Sequence, residues 1–176
     1  MFWGIIISEA LYPDYNTSIQ TISSLGVGPS AFIFNLSVFL IGVLGLAATY
    51  FIHREFNSKL FTFLMGMMHI GGIGVGLFLE ATSTFTIHSI FSVMAYLFGG
   101  ISAMMSYKLQ KQPLFSLSLV LGGFSLLALV LVLSKTYLGL GLGGMERMVA
   151  YPLLLWEVGF GSQLISYPVL ARGGID

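Results

Sequence analysis

The chain contains no cysteine. That absence excludes disulfides, thiolate catalysis and cysteine-bound zinc or iron–sulfur centres. Charge is nearly as scarce: seven basic and seven acidic residues make up 8% of the 176. A soluble domain carries about a quarter of its residues as charges. The formal net charge is zero and no basic run exists, so nothing offers a nucleic-acid footprint or a polybasic lipid patch. The opening Met1-Phe-Trp-Gly-Ile-Ile-Ile lacks the positive n-region of a signal peptide. No H-E-x-x-H helix and no G-x-S-x-G elbow occurs, which removes two familiar hydrolase layouts.

What the chain has is apolar length. Hydrophobic residues make up 56% of it, and the mean hydropathy is +0.93. No charge interrupts the stretches between Lys59 and Glu80, Glu80 and Lys108, or Lys111 and Lys135. A helix needs about 20 such residues to cross the hydrocarbon core. The runs are too long and too glycine-interrupted for alternating barrel strands. The expected fold is all-α: a polytopic membrane bundle forming one domain over residues 1–176. Its five full spans run from about Ser30 to Ile52, Leu60 to Leu79, Ile87 to Tyr107, Leu114 to Ser134, and Met145 to Tyr167-Pro168. Ahead of them, Met1 to Leu11 would extend only about 17 Å as a helix. It reads as a short apolar helix, a degenerate sixth span.

Charge asymmetry predicts an orientation. With Met1 cytoplasmic, one side carries Arg54, Lys59, Lys108, Lys111 and Arg172, the other only Lys135 and Arg147. Excess Lys and Arg mark the cytoplasmic face. The loop Tyr12–Pro29, the turn Ala81–Thr86 and the Gly-rich connection Lys135–Gly144 then lie outside, with Glu9, Asp14, Glu80 and Glu146. Gly71, Gly72, Gly74 and Gly76 crowd the second span, Gly99 and Gly100 the third, Gly122 and Gly123 the fourth. Small residues let helices approach closely in lipid. These faces suit packing within the bundle and leave homo-oligomerisation open. No strand precedes Gly71-Gly-Ile-Gly-Val-Gly, so a nucleotide-binding reading is poor.

Ionisable groups in a membrane are costly and by default mark a site. Glu80 and His88 flank the turn between the second and third spans, Glu146 and Arg147 begin the fifth, and Glu9 lies near the outer end of the N-terminal segment. His69 and Glu157 each lie eleven residues inward, from Glu80 and Glu146 respectively. Eleven residues is close to three helical turns, which puts each inner residue under its outer one, about 16 Å deep. A His69–Glu157 pair would solve the burial problem of both, as a structural pair or a proton relay. Interfacial anchoring is the bland reading of Glu80, Glu146 and Arg147. His88 would then simply hydrogen-bond to the turn, and Asn35, Ser37, Ser92, Ser102 and Ser106 along or across helices. Glu9, Glu80, His88 and Glu146 would suit zinc, manganese or magnesium. Helical ligand spacing is absent, however, and His53, His69 and His88 fall at three depths. No metal or other cofactor is expected.

The pattern as a whole resembles the membrane family catalogued as domain of unknown function 998. The resemblance rests on Glu9-Ala-Leu-Tyr-Pro13, Thr21-Ile-Ser-Ser-Leu-Gly26 and Phe34-Asn-Leu36. It continues through Gly74-Val-Gly-Leu-Phe-Leu-Glu80 with His88, and Gly143-Gly-Met-Glu-Arg147 with Tyr151-Pro152 and Trp156. More distantly, Ile22-Ser-Ser-Leu-Gly-Val-Gly-Pro29 leading to Asn35 looks like the damage-regulated autophagy modulators and post-GPI-attachment lipid-remodelling factors. That resemblance implies six helices and an association with lipid remodelling or organisation. Ser24 and Leu79 depart from the family pattern, where an Asp and a Pro are usual.

The functional expectation is a protein that binds or handles a lipid or other amphiphile at an outer-leaflet polar site. Glu9, Asn35, Glu80, His88, Glu146 and Arg147 would surround that site. Arg147 would meet a phosphate or carboxylate head group, with Glu80 and Glu146 holding it in place or binding a cation, and His88 would shuttle a proton if chemistry occurs. The expected partners are membrane lipids, with no nucleic acid. Two alternatives stand beside it: a small transporter or channel using a midplane pair, His69 and Glu157, and a structural membrane subunit.

Overall fold

A computed structural model describes residues 1–81 and 83–172, with side chains through 165. Thr82 and the side chain of Arg172 lie outside the described residues. Six helices form: α1 (Phe2–Leu11), α2 (Ala31–Phe56), α3 (Lys59–Leu77), α4 (Phe85–Met105), α5 (Leu114–Leu133) and α6 (Gly141–Arg172). Short 3₁₀ turns occupy Ser23–Gly26 and Ser106–Leu109. No strand occurs among the described residues. The five long helices are each apolar and long enough to cross a membrane, and α1 is the short apolar helix. The protein is an all-helical, multi-pass membrane protein.

The helix ends follow local chemistry. Asn57 closes α2 in the left-handed conformation (φ 47°) and returns its N–H to the His53 carbonyl at 2.8 Å. Asparagine tolerates that conformation better than most residues. His53 and Arg54, in the last turn of α2, favour the negative end of the helix dipole. Only Asn57 and Ser58 separate α2 from α3, so the two pack as an antiparallel hairpin.

Two boundaries differ from the sequence expectation. The helix α3 stops at Leu77 rather than Leu79, so Glu80 lies in the turn and not on a helical face above His69. The helix α6 starts at Gly141, four residues before Met145, and absorbs part of the expected Gly-rich connection. Gly141 enters with φ +73°, and Gly143 donates its N–H to the Ser18 carbonyl at 3.0 Å. A neighbouring loop thereby satisfies a helix-start donor that would otherwise be orphaned.

Helices α2 to α6 pack in chain order, each against its successor, and α6 also touches α4. Gly72 faces the Gly42 backbone of α2, while Gly71 packs against Ala95 of α4, so α3 uses two glycine faces inside the bundle. The helix α1 wedges between α2 and α6. Its Gly4 sits against Ser37, and Phe2 tilts onto Tyr151 with ring centroids 6.2 Å apart. Ile5 is buried with Val38 and Ala150. A second core, around Phe61, Met65, Trp156 and Phe160, fills the end of the bundle away from the 12–30 loop. Large apolar side chains such as Trp3 and Phe32 cover the outside, as lipid contact requires.

Candidate functional site

Polar side chains gather in two places: under the loop joining α1 to α2, and beside an opening between α2 and α6. The loop runs across the start of α6, where the positive end of a helix dipole and free N–H groups attract carbonyls and carboxylates. Arg147, in the second turn of α6, holds the loop there. Its Nη1 donates to the carbonyls of Thr17 (2.9 Å), Gln20 (3.2 Å) and Gly143 (2.9 Å). Its Nη2 pairs with Glu9 Oε1 at 2.5 Å and donates to the Tyr15 hydroxyl at 2.8 Å. The guanidinium also lies over the Tyr15 ring, 5.5 Å from its centroid.

Glu146 makes the second clamp. Its carboxylate accepts the Ile22 N–H at 2.5 Å, the Ser23 hydroxyl at 2.9 Å and the Tyr96 hydroxyl at 3.2 Å. Glu80 accepts the Thr21 hydroxyl at 2.8 Å, and Asn35 donates to the Gly26 carbonyl at 2.9 Å. The loop is thus tied to α1, α2, α4, α6 and the α3–α4 turn. Tyr15 closes it internally by donating to the Thr21 carbonyl at 2.6 Å. Burial raises the Tyr15 phenol above its ordinary pKa of 10.0, and the neighbouring Arg147 opposes that rise.

Five of the six residues expected at this face therefore meet through the loop. His88 does not join them. It is buried, its Nδ1 lies 2.6 Å from the Phe78 carbonyl, and its Nε2 has no partner. The partner of Arg147 is also different from expectation: Glu9 holds it, while Glu80 and Glu146 hold the loop. Arg147 has little to offer a head group. It is 7% exposed, both terminal nitrogens are engaged, and Nε, which has no partner, is buried out of reach. Tyr15, Thr21, Ser23 and Tyr96 belong to the cluster although their types alone did not mark them. His88, Ser92 and Tyr96 fall at four-residue spacing on one face of α4, a signal that could have found Tyr96. Ser92 and Ser102 are buried without the hydrogen bonds expected of them.

The deep residues meet. His69 Nδ1 lies 3.9 Å from Glu157 Oε1, across the space between α3 and α6. That separation is too long for a hydrogen bond. No hydrogen bond reaches either side chain from the described residues. Gly45 of α2 lies directly against the His69 ring, and any side chain there would displace it.

Two cavities meet at this pair. The smaller, about 100 Å³, lies beneath the loop and reaches from Ile22, Ser23 and Tyr96 down to His69 and Glu157. The larger, about 540 Å³, continues between α2 and α6 past Leu44, Met65 and Phe160 to Gly161 and Leu164. Its rim is open to the lipid-facing surface, since Leu44 is 66% and Val158 63% exposed. Apart from Ser37, its other lining side chains are apolar. Among the described residues no three His, Asp or Glu side chains converge as a metal site.

No curated protein and no solved structure matches the chain. The pattern of one protein family, described as a protein of unknown function (DUF998), matches residues 1–163. That match covers both clamps, the deep pair and the lining of both cavities apart from Leu164, and by it the chain belongs to the DUF998 family of membrane proteins.

Proposed function

We propose that the protein binds a lipid or other amphiphile in the cavity between α2 and α6, with the polar end of the ligand directed at His69 and Glu157. The carrying observation is the cavity itself. Its volume of about 540 Å³ falls inside the usual range for small-molecule sites, roughly 300–1,000 Å³. It combines an apolar lining with the His69–Glu157 pair and the nearby Met1 amino group, and its rim opens where acyl chains would lie. The polar cluster under the loop serves this reading as a fastening. With Arg147 and Glu146 engaged, the loop closes the cavity from its own face, the outer one in the charge-based orientation, and leaves lateral entry between α2 and α6.

Gly161 supplies the test, because an added side chain there meets open space. Native mass spectrometry of gently extracted protein should show a stoichiometric amphiphile on the unmodified chain. Gly161→Trp, whose Cβ would meet no atom within 4 Å and whose ring adds bulk to the cavity wall, should lose it. Retention of the same lipids at the same stoichiometry in Gly161→Trp would end the cavity reading.

One observation favours a second reading, transport. The two cavities approach the His69–Glu157 pair from opposite directions, as the halves of a path would. Proteoliposomes discriminate: an ion or proton flux abolished by Glu157→Gln supports transport, and its absence supports binding.

A further inference from the structure

The distance between His69 and Glu157 carries information about what lies between them. A side chain as buried as His69 normally finds a hydrogen-bond partner, yet it and the partly buried Glu157 stop short of each other at 3.9 Å. His69 is only 5% exposed and lines both cavities, as does Glu157. Two hydrogen bonds of about 2.8 Å, meeting at one oxygen, span that gap. The oxygen has to accept from one partner and donate to the other. A hydroxyl does both, and its proton can turn to suit whichever of the two groups is protonated.

Other head groups fit less well. A fatty-acid carboxylate only accepts, and a phosphate carries net negative charge even where a monoester keeps one P–OH; either would set an anion against the carboxylate of Glu157. A quaternary ammonium has no proton to donate. Of the two cationic groups that could compensate an anion, the Arg147 guanidinium is engaged under the loop and the Met1 amino group already bears on Glu157. We infer that the ligand of this cavity is a neutral amphiphile bearing an aliphatic hydroxyl, with that hydroxyl bridging His69 and Glu157. This inference rests on the cavity reading above and adds the chemistry of the polar end.

The experiment uses four probes with the same sixteen-carbon chain and a diazirine in it: hexadecanol, hexadecanoic acid, hexadecyl phosphate and hexadecyltrimethylammonium. A hexadecanoyl monoglyceride with the same label distinguishes a simple alcohol from a glyceride hydroxyl. The full chain in phosphatidylcholine vesicles is photolysed with each probe, and labelled peptides are mapped.

The alcohol or the monoglyceride should label the segments around Leu44 and Val158 at least tenfold more efficiently than the acid, phosphate or ammonium probe. One hydrogen bond to a buried charged group has about that effect. Glu157→Gln retains a donor and an acceptor, so it should still take the alcohol while now admitting the acid. The double variant His69→Phe, Glu157→Leu should keep labelling in the cavity but lose the preference among head groups.

Equal labelling by all probes, suppressed by Gly161→Trp, would overturn the hydroxyl inference and leave the cavity reading standing. So would a preference that survives in the double variant, since His69 and Glu157 would then not be its source. Absence of cavity labelling by every probe would overturn both.

Discussion

The two polar regions of this bundle share residue types and differ in completeness. Under the loop, Glu146 has three donors and Arg147 five acceptors, drawn from segments far apart in the chain. Between α3 and α6, a carboxylate and an imidazole sit beside a cavity with no hydrogen bond between them. A buried polar group costs free energy unless it is paired, and in lipid no bulk water can relieve it. Near-complete pairing, with only the Arg147 Nε left over in the two clamps, therefore marks the first region as a fastening, and the open valence of the second marks it as receptive. Residue type alone would rank them the other way, because the loop face holds more charge.

The largest effect should come from breaking the fastening. Arg147→Met strips partners from Glu9, Tyr15 and three carbonyls in one step. Removing one member of a buried pair costs about 3–5 kcal/mol. Glu9 is partly exposed, which places the expected loss near the lower end of that range. Thermal unfolding in detergent micelles should show it, with hydrogen exchange in residues 12–29 rising first. Arg147→Lys should recover little, because an ammonium cannot reproduce the forked geometry. An Arg147→Met protein as stable as the parent, with the loop still protected, would mean the clamp is not structural.

A smaller effect should follow from Tyr15, through pH. Its folded-state pKa is raised above 10.0, so the clamped loop holds the phenol proton more tightly than the open loop does. The contribution is therefore complete below about pH 10 and is lost as pH rises through the higher folded value. Limited proteolysis of the loop should accelerate only in that alkaline range. In Tyr15→Phe the alkaline step should vanish, and at neutral pH the loop should be weaker by about 1 kcal/mol, the usual worth of a hydrogen bond. An unchanged alkaline step in Tyr15→Phe would assign it to another group.

What could be read in advance divides along the same line. The spans were legible because hydropathy over about 20 residues is a strong signal: α3, α4 and α5 lie in the uncharged runs, and α2 and α6 overlap the other two expected spans. The start of α6 was not legible. It depends on the Ser18 carbonyl capping Gly143, and a carbonyl carries no sequence signature. For the same reason the acceptors of Arg147 at Thr17 and Gln20 were invisible, and a head group took their place in the expectation. The His69–Glu157 proximity came from arithmetic with one unsound step. Glu80 lies beyond the end of α3, so it shares no helical face with His69, whereas Glu146 and Glu157 do share α6. Depth was readable; the 3.9 Å gap and the cavity around it, which depend on how three helices splay, were not.

The smallest effect on stability should come from the deep pair, and it sharpens the comparison most. Glu157 has no hydrogen bond from the described residues, so Glu157→Gln removes no stabilising donor contact. It also removes the cost of holding a carboxylate in a largely apolar cavity, a cost that favours the neutral side chain. Loss of the Met1 amino group's attraction for the carboxylate opposes that gain, and together these terms place the change in unfolding free energy within about 1 kcal/mol of zero, the scale of one hydrogen bond. Unfolding of Glu157→Gln, monitored through the buried Trp156 one residue away, measures it directly. A loss as large as that from Arg147→Met would show Glu157 to be a second fastening. Near-neutral stability combined with altered ligand retention has one physical explanation: the side chain is held open for a partner that the bundle itself does not supply.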